Sequence, residues 1–487
     1  MAKDITQLKT LGELKKNGYS TRSIKEELRE NLLNAISEKT ELFPDFWGYE
    51  NSVIPQVKRA ILAKHNINFL GLRGQAKTKM ARALVSLLDA YIPFVKGSEI
   101  CDDPFRPISK FAVDLIAEKG DETPIEWLPR EERFFEKLAT PDVSVADLIG
   151  DIDPIKAATQ KLSYADERVL HYGMIPRANR SIFVINELPD LQARIQVSLF
   201  NILQEGDVQI RGFKLRMPLD IQFIFTANPE DYTNRGSIVT PLKDRIGSQI
   251  LTHYPQSIDI AKKITAQEAQ KLDAAAVKIH VPELAKDLLE QVSFEARKSD
   301  FIDVKSGVSA RTSITAFENL ISTAELRAIE QGDKETTIRL GDFMGIIPAL
   351  TGKMELVYEG EQEGAEKVAL LLINEAIKSL FNTYFPEIKK LERQREISPY
   401  QEIVDWFYEH QTFAIEDNWT EKKYNEALSL LTPVEDLIKT CVPGVKKEDL
   451  NFMKEFVLWA LVEYKKLAKE RSEEGQTYQD RMGSFGL

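Results

Sequence analysis

The sequence is poor in cysteine and in long apolar runs. It has two cysteines in 487 residues, Cys101 and Cys441, which excludes a fold held together by disulfides and indicates a reducing compartment. The opening segment carries no apolar run of the kind found in signal peptides, and no later segment is apolar over the length of a membrane span. These absences predict a soluble, cytoplasmic protein.

Positive charge and histidine are scarce as well. The chain has 64 Lys and Arg residues against 76 Asp and Glu residues, which gives a net charge of -12. Non-specific nucleic-acid binding needs clustered positive charge, so this balance argues against a nucleic-acid partner. The five histidines are scattered without the spacing of a metal-binding motif. Ordinary surface or core positions are expected for them.

The sequence pattern changes along the chain and indicates four segments. Residues 1–40 read as a polar helical extension, and residues 41–255 alternate short apolar runs with amphipathic helices. Residues 256–350 and 351–487 read as helical. The alternation in the second segment predicts an α/β fold, in which helices flank a parallel sheet. The candidate strands are Ile67–Leu70, Ile92–Val95, Ile182–Ile185, Ile221–Thr226 and Gln249–His253.

A glycine-rich turn lies between the first candidate strand and an amphipathic helix. The segment Gly71–Thr78 matches the phosphate-loop (P-loop) spacing G-x-x-x-x-G-K-[ST], with Ala76 in place of the second glycine. In such a loop backbone N–H groups surround the β-phosphate, Lys77 reaches the β and γ oxygens, and the Thr78 hydroxyl binds Mg²⁺. A chance turn before a helix is the alternative. The predicted nucleotide-binding residues are Gly71, Arg73, Gly74, Gln75, Ala76, Lys77, Thr78 and Lys79.

Two features of this region depart from the usual pattern. A Cβ atom at position 76 is tolerated only at negative φ, so we expect that conformation and a slightly altered loop.

The strand motif SIFVINELPDL ends in Asn186 and Glu187. Glu187 suits the polarisation of an attacking water, although it could instead cap the next helix. Asn186 stands where an aspartate is expected near Mg²⁺ and carries no charge.

The uncharged side chain of Asn186 has a predicted consequence. Its carbonyl oxygen can accept a hydrogen bond from a Mg²⁺-bound water. The missing charge predicts weak coupling to Mg²⁺ or slow turnover, without loss of nucleotide binding. On this view Asn186→Asp should raise ATPase activity.

With these motifs the chain resembles the AAA+ ATPases of the MoxR and magnesium-chelatase I-subunit group, over about residues 41–350. The resemblance implies an AAA+ core at 41–255, a helical lid at 256–350 and a helical C-terminal domain at 351–487 for docking of a partner or client. The segments that carry it, beside the two motifs above, are FWGYENSVIPQVKRAIL, VADLIGDIDPIKA, HYGMIPRANR, GDVQIRGFKLRMPLDIQFIFTANPED, TPLKDRIGSQI and SGVSARTSITAFENL.

The resemblance also assigns three roles. Asn228, at the end of an apolar strand, becomes the first sensor, which orients water or detects the γ-phosphate. Arg245 becomes an arginine finger that stabilises the leaving phosphoryl group of a neighbouring subunit. Arg311 becomes the second sensor on the lid. A plain turn residue and two surface arginines are the alternatives. Arg235 competes with Arg245, and Arg177 and Arg180 are further candidates for contact with a neighbour.

A finger that acts on a neighbour implies a ring, which is usually a hexamer in this group. The resemblance further implies ATP and Mg²⁺ as cofactors, and a separate partner protein with a von Willebrand A domain. The hairpin at Gly206–Pro218 could line a pore or be an ordinary solvated hairpin, and the aromatic residues at 406, 407, 419 and 459 could dock a partner or form core. The predicted function is an ATPase that remodels a protein partner. A scaffold with little hydrolysis and a nucleic-acid motor remain the alternatives.

Overall fold

The computed structural model describes residues 5–161, 166–208, 217–229, 237–270, 277–303, 308–388, 398–472 and 475–480. The chain divides into two compact units, Met1–His253 and Tyr254–Leu487. Among the described helices, none combines the length and the apolar character that crossing a membrane requires.

The first unit is built on a parallel sheet. Its described strands are β1 (Ile67–Leu70), β2 (Tyr91–Val95), β3 (Ile125–Pro129), β4 (Phe134–Leu138), β5 (Gly150–Ile152), β6 (Leu170–Tyr172), β7 (Ser181–Asn186), β8 (Asp207–Val208), β9 (Met217–Pro218), β10 (Ile221–Ala227) and β11 (Ser248–Leu251). Five of them form one sheet in the order β11-β1-β10-β7-β4, and every pairing in it is parallel. The pairs β2–β3, β5–β6 and β8–β9 are small antiparallel ribbons.

Helices cover both faces of this sheet. The described α-helices of the first unit are α1 (Leu11–Lys16), α2 (Ile24–Ser37), α3 (Val53–Leu62), α4 (Lys77–Ala83), α5 (Lys110–Lys119), α6 (Val145–Leu148), α7 (Pro154–Gln160), α8 (Met174–Arg177), α9 (Ala193–Ser198), α10 (Phe200–Glu205) and α11 (Thr240–Arg245). Short 3₁₀ helices span Ile5–Gln7, Leu84–Leu87, Gly120–Glu122, Arg130–Glu132, Glu167–Val169 and Leu188–Asp190.

Strand β7 shows how the two faces are filled. Its side chains alternate, so that Ile182 and Val184 pack in the core with α2, α3 and α4, whereas Phe183 and Ile185 pack with α9, α10 and α11. Burial on both faces is the environment of a parallel sheet, and the predicted α/β architecture is confirmed.

One predicted strand lies outside the sheet. The segment Ile92–Val95 forms a strand, but it pairs antiparallel with β3. Pro93 lacks an N–H donor and suits a two-stranded ribbon better than a sheet interior. The fifth sheet strand is β4, which the sequence pattern did not indicate because its side chains are at most half-buried.

A buried ion pair fastens β4 at its start. Arg133 donates from both terminal nitrogens to the two carboxylate oxygens of Glu27 on α2, each at 2.7 Å, and both side chains are almost fully buried. The same guanidinium donates to the backbone oxygen of Arg180, just before β7. The extension at 1–40 therefore contributes to the position of β4 beside β7.

The second unit is mainly helical, as predicted. Its described α-helices are α12 (Ile258–Glu268), α13 (Glu283–Ala296), α14 (Ala310–Gln331), α15 (Ile347–Thr351), α16 (Tyr358–Glu363), α17 (Ala365–Tyr384), α18 (Gln401–His410), α19 (Glu421–Ser429), α20 (Thr432–Cys441) and α21 (Leu450–Glu463), and a 3₁₀ helix spans Leu340–Ile346. Its described strands are β12 (Lys278–His280), β13 (Glu335–Thr337), β14 (Thr412–Glu416), β15 (Leu467–Ser472) and β16 (Gly475–Asp480).

Two small sheets in this unit were not indicated by the sequence. Strands β12 and β13 pair in parallel, and β14, β16 and β15 form an antiparallel sheet. The helix α21 lies in the core, and every residue from Phe452 to Leu461 is buried. The aromatic residues Phe407, Trp419 and Trp459 are buried in the same core, and Trp406 packs against it. This favours the core interpretation of these aromatic residues over the docking interpretation.

Candidate nucleotide-binding site

Four strands of the first unit bring polar side chains to one edge of the sheet. The P-loop follows β1, Asn186 ends β7, and Asn228 follows β10. Because parallel strands end at the same edge, these residues meet there, as the sequence analysis predicted. The outermost strand, β4, adds Glu136 to the group.

The P-loop contains an alanine in an unusual conformation. Ala76 has φ 53° and ψ 23°, in the left-handed region. The expectation of negative φ at this position is therefore wrong. The chain turns here from the loop into α4, and that turn uses the left-handed conformation that a glycine would adopt without strain. For an alanine the conformation costs roughly 1 kcal/mol.

Side chains behind the P-loop hold it in place. Thr252 donates its hydroxyl to the amide oxygen of Gln75 at 2.7 Å, and the Tyr49 hydroxyl donates to the Gln75 backbone oxygen at 2.9 Å. The Gln75 side chain is buried against protein, so the backbone of this residue is the part that suits phosphate binding. A Cβ atom at Gly71 would overlap the Thr252 hydroxyl and the Gln75 amide oxygen, which explains the glycine.

Lys77 connects the P-loop to the neighbouring strand. Its ammonium group donates to the backbone oxygens of Gly71 and Leu72, the latter at 2.8 Å, and to the side-chain oxygen of Asn228 at 2.7 Å. The predicted first sensor therefore contacts the predicted phosphate-binding lysine directly. A group that binds Lys77 through its γ-phosphate would also lie next to Asn228.

Asn186 is the centre of a second hydrogen-bond network. Its side-chain oxygen accepts from the hydroxyls of Thr78 and Thr226, each at 3.1 Å. Its side-chain nitrogen donates to Glu136 at 2.5 Å. The sequence analysis gave no role to Thr226 or Glu136, because both reach the site through sheet pairing.

Glu187 follows directly in the left-handed conformation, at φ 55° and ψ 49°. Its backbone N–H donates to the Thr226 hydroxyl at 3.1 Å. Its half-buried side chain makes no capping hydrogen bond to the 3₁₀ helix that follows. The alternative that Glu187 is merely a helix cap therefore has no support. The side chain remains available to polarise a water molecule at this edge of the sheet.

The oxygen atoms in this network suit Mg²⁺. The hydroxyl of Thr78 and the side-chain carbonyl of Asn186 are hard oxygen donors of the type that Mg²⁺ prefers. Thr78 fits a direct ligand, and Asn186 fits a contact through a metal-bound water. The residues present are therefore compatible with the Mg²⁺ that accompanies a nucleoside triphosphate.

The remaining predicted residues are distributed around the site or lie elsewhere. Arg73 is exposed on the P-loop, and Lys79 on α4 lies over the Phe46 ring at 5.4 Å. Arg245 ends α11, where it donates to the Gln204 side chain at 2.8 and 3.0 Å and to the Pro241 backbone oxygen at 2.7 Å.

Arg311 is exposed at the start of α14, in the second unit. Arg177 is exposed, whereas Arg180 is buried and donates to the Pro93 backbone oxygen at 2.7 Å. Arg180 is therefore unsuited to contact with a neighbour. Arg235 and the hairpin residues 209–216 lie outside the described residues, although the base of that hairpin is formed by β8 and β9.

The five-stranded sheet, the P-loop and the polar residues on the adjoining strand ends define a P-loop protein of the AAA+ class. Residues 158–247 match the family described as the Sigma-54 interaction domain. The chain is 26% identical over 212 residues to the magnesium-chelatase 38 kDa subunit of Cereibacter sphaeroides, covering 42% of this chain and 56% of that protein. It is also 26% identical over 197 residues to the subunit of the same name from Rhodobacter capsulatus, covering 39% of this chain and 49% of that protein.

Within the AAA+ class, the sequence similarity of this chain is to magnesium-chelatase 38 kDa subunits. The chain spans about half the length of the curated relatives it matches, at 56% and 49%. A solved chain from the complex between subunits BchI and BchD of magnesium chelatase has 18% sequence identity and a TM-score of 0.33, with 66% of this chain and 98% of that chain covered. At that score the structural likeness adds nothing to the assignment.

Proposed function

We propose that this chain binds ATP with Mg²⁺ and hydrolyses it to remodel a protein partner. The observation that carries the proposal is the pair of contacts Lys77–Asn228 and Thr78–Asn186 beside the P-loop. They bring together four predicted nucleotide-site residues that end or follow the adjacent strands β1, β10 and β7. An arrangement of this kind can hold a triphosphate against backbone amides while its terminal phosphate faces polar side chains.

Each residue has a proposed role in this reaction. Lys77 binds the β and γ oxygens, Thr78 and Asn186 hold the metal, Glu187 polarises water, and Asn228 orients it. The metal, when bound, neutralises charge on the transferred phosphoryl group. The orientation of Asn186 by three hydrogen bonds supports the assignment, because a positioned acceptor loses little freedom when the metal binds.

The ring is proposed from the position of Arg245. Its guanidinium is held by Gln204 and Pro241, which are not P-loop residues, and it lies over the Phe200 ring at 5.1 Å. A finger that is fixed on α11 suits a contact with the nucleotide of an adjoining copy, in a closed ring that we take to be hexameric. Arg311 is the proposed second sensor, on the helical lid.

The proposed partner is a separate protein with a von Willebrand A domain, in a chaperone-like or metal-insertion role in the cytoplasm. The support is the similarity to proteins named as magnesium-chelatase subunits. The second half of the chain, with its own core, is the proposed region for a helical lid and a docking domain.

A scaffold gated by nucleotide, with little hydrolysis, is the second candidate. The uncharged Asn186 favours it. A nucleic-acid motor is the third candidate, and the net charge of -12 argues against it.

Two substitutions separate hydrolysis from the scaffold function. Lys77→Ala should abolish ATP binding, because it removes the charge that meets the phosphates. Glu187→Gln should keep ATP binding and lower steady-state turnover by about 10² to 10⁴-fold, the range for loss of a general base. Turnover is measured by phosphate release and binding by a fluorescent nucleotide.

The matched control is Lys110→Ala, which removes an exposed lysine on α5 and should change neither quantity. If wild-type chain and Glu187→Gln both bind ATP and release phosphate at the same background rate, the chain is a scaffold. If wild-type chain binds neither ATP nor ADP with magnesium, the nucleotide-site assignment is wrong. A DNA titration at increasing salt tests the motor alternative.

A further inference from the structure

The side chain of Asn186 has a fixed orientation. Its oxygen accepts from Thr78 and Thr226, and its nitrogen donates to Glu136. Rotation of the amide by half a turn would place its NH₂ group against two hydroxyls and its oxygen against a carboxylate. The carboxylate of Glu136 therefore decides which end of the amide faces the P-loop threonine.

Glu136 is itself held in place at both oxygens. One oxygen accepts from Asn186 at 2.5 Å and the other accepts from Arg82 on α4 at 2.7 Å. The strand that carries it is paired with β7, where Glu136 lies opposite Val184 and Leu138 lies opposite Asn186. A carboxylate that accepts from two N–H donors is well positioned.

Asn186 and Glu136 together take the place of a single acidic residue. The usual arrangement needs a carboxylate at the end of β7, next to the Mg²⁺-binding hydroxyl. Here the amide occupies that place and the negative charge lies one hydrogen bond farther away. An anionic acceptor on the nitrogen side of an amide polarises the group and makes its oxygen a stronger acceptor. The Thr78 hydroxyl can then give its hydrogen to Asn186 and keep its lone pairs for the metal.

We propose that Glu136 is a positioning residue that supplies, through Asn186, the negative charge of the Mg²⁺ site. The inference rests on the proposed nucleotide binding and adds to it the source of the charge. It also changes the expectation for Asn186→Asp. Alone, that substitution places two carboxylates in contact, so it should weaken the site and not improve it.

The test compares Glu136→Gln, Asn186→Asp and the double exchange Asn186→Asp with Glu136→Gln. Binding of a fluorescent ADP analogue is titrated with Mg²⁺ and again with EDTA, and melting temperature is measured without nucleotide. Glu136→Gln should lower the Mg²⁺-dependent gain in affinity by about tenfold, as loss of an outer-shell partner does. Its affinity in EDTA should stay within about twofold of wild type.

The double exchange makes the sharpest prediction. Asn186→Asp should lower the melting temperature and the Mg²⁺-dependent gain, because like charges meet. Adding Glu136→Gln should restore both, since a carboxylate again faces an amide. The control is Glu126→Gln, a partly exposed glutamate on β3 that pairs with Lys96, and it should change neither quantity.

The inference is overturned if Glu136→Gln keeps the full Mg²⁺-dependent gain. It is also overturned if the double exchange is no better than Asn186→Asp, or if Glu136→Gln lowers affinity equally with Mg²⁺ and with EDTA. If a single variant fails to fold, the double exchange decides by its melting temperature and Mg²⁺ titration. If the wild-type chain had no affinity for nucleotide, the proposed function itself would be overturned. The melting temperatures of Asn186→Asp and of the double variant would still show whether Asn186 and Glu136 interact.

Discussion

Ala76 adopts a left-handed backbone conformation that suits glycine better than alanine. Ala76→Gly should raise the free energy of unfolding by about 0.5 to 1 kcal/mol, because removal of the Cβ relieves left-handed strain and outweighs the added freedom of the unfolded chain. The measurement is urea unfolding of the full-length chain without nucleotide.

The same exchange has the opposite sign in ordinary helix. Ala158 is exposed within α7, so Ala158→Gly should lower the free energy of unfolding by about 1 kcal/mol. If both exchanges destabilise the chain to the same extent, Ala76 is not strained.

The residues of the site differ in how readily the sequence predicts them. Lys77, Thr78, Asn186 and Asn228 lie in motifs that combine a strand end with a turn, and their contacts could be expected from the shared edge of a parallel sheet. Glu136 could not be predicted, since its role depends on which strand is placed beside β7. That neighbour is fixed by the buried pair of Arg133 and Glu27, which lie far apart in the sequence.

At the scale of elements, the strands that are easiest to predict from the sequence are those buried on both faces. Strands β7 and β10 are buried at every residue, and continuous apolar runs of this kind are easy to recognise. Strand β4 lies at the end of the sheet and reads FFEKL, with polar residues that an interior strand would lack. Strand β2 was recognised as a strand, but its partner could not be read from its own residues.

Helix α21 carries a buried carboxyl that makes stability depend on pH. Burial raises the pKa of Glu455 to about 7, while the hydrogen bond from Tyr424 and the charge of Arg339 act in the opposite direction. The unfolded side chain has a pKa of about 4.3, so the folded state binds the proton more tightly. The stabilisation is complete below the unfolded value and is lost as the pH rises through about 7.

Glu455→Gln should remove this dependence. Because the amide cannot ionise, the variant should gain stability relative to wild type between pH 5 and pH 8, by about 2 to 3 kcal/mol. Urea unfolding at several pH values measures the difference. Glu366→Gln, at an exposed site on α17, should follow the wild-type curve. Parallel curves for wild type and Glu455→Gln would show that Glu455 is not the titrating group.

At the scale of the whole molecule, the proposed ring can be tested by mixing variants. Arg245→Ala lacks the finger and Glu187→Gln lacks the base, so each alone should be inactive. In a mixed ring an intact Glu187 can meet an intact Arg245 from its neighbour at about a quarter of the interfaces. The mixture should therefore release phosphate faster than either variant, as measured at equal total protein.

Recovery on mixing requires that the finger acts between subunits. If Arg245 acted within its own chain, the mixture would show only the average of its components. Lys243→Ala removes another exposed cation from α11 and should retain wild-type turnover, both alone and in mixtures. Loss of turnover in Lys243→Ala would mean that the helix, and not the guanidinium, is needed.

The place of β4 in the sheet has a mechanical consequence. It is one of the two end strands of the five-stranded sheet, and among the described strands it pairs with β7. An end strand gives up fewer hydrogen bonds when it shifts than an interior strand does. Glu136 stands on this strand, and the chain leaves it toward the segment 139–180. A force applied to that segment would pull on the strand that carries the carboxylate, and would so act on the charge beside the proposed phosphate site.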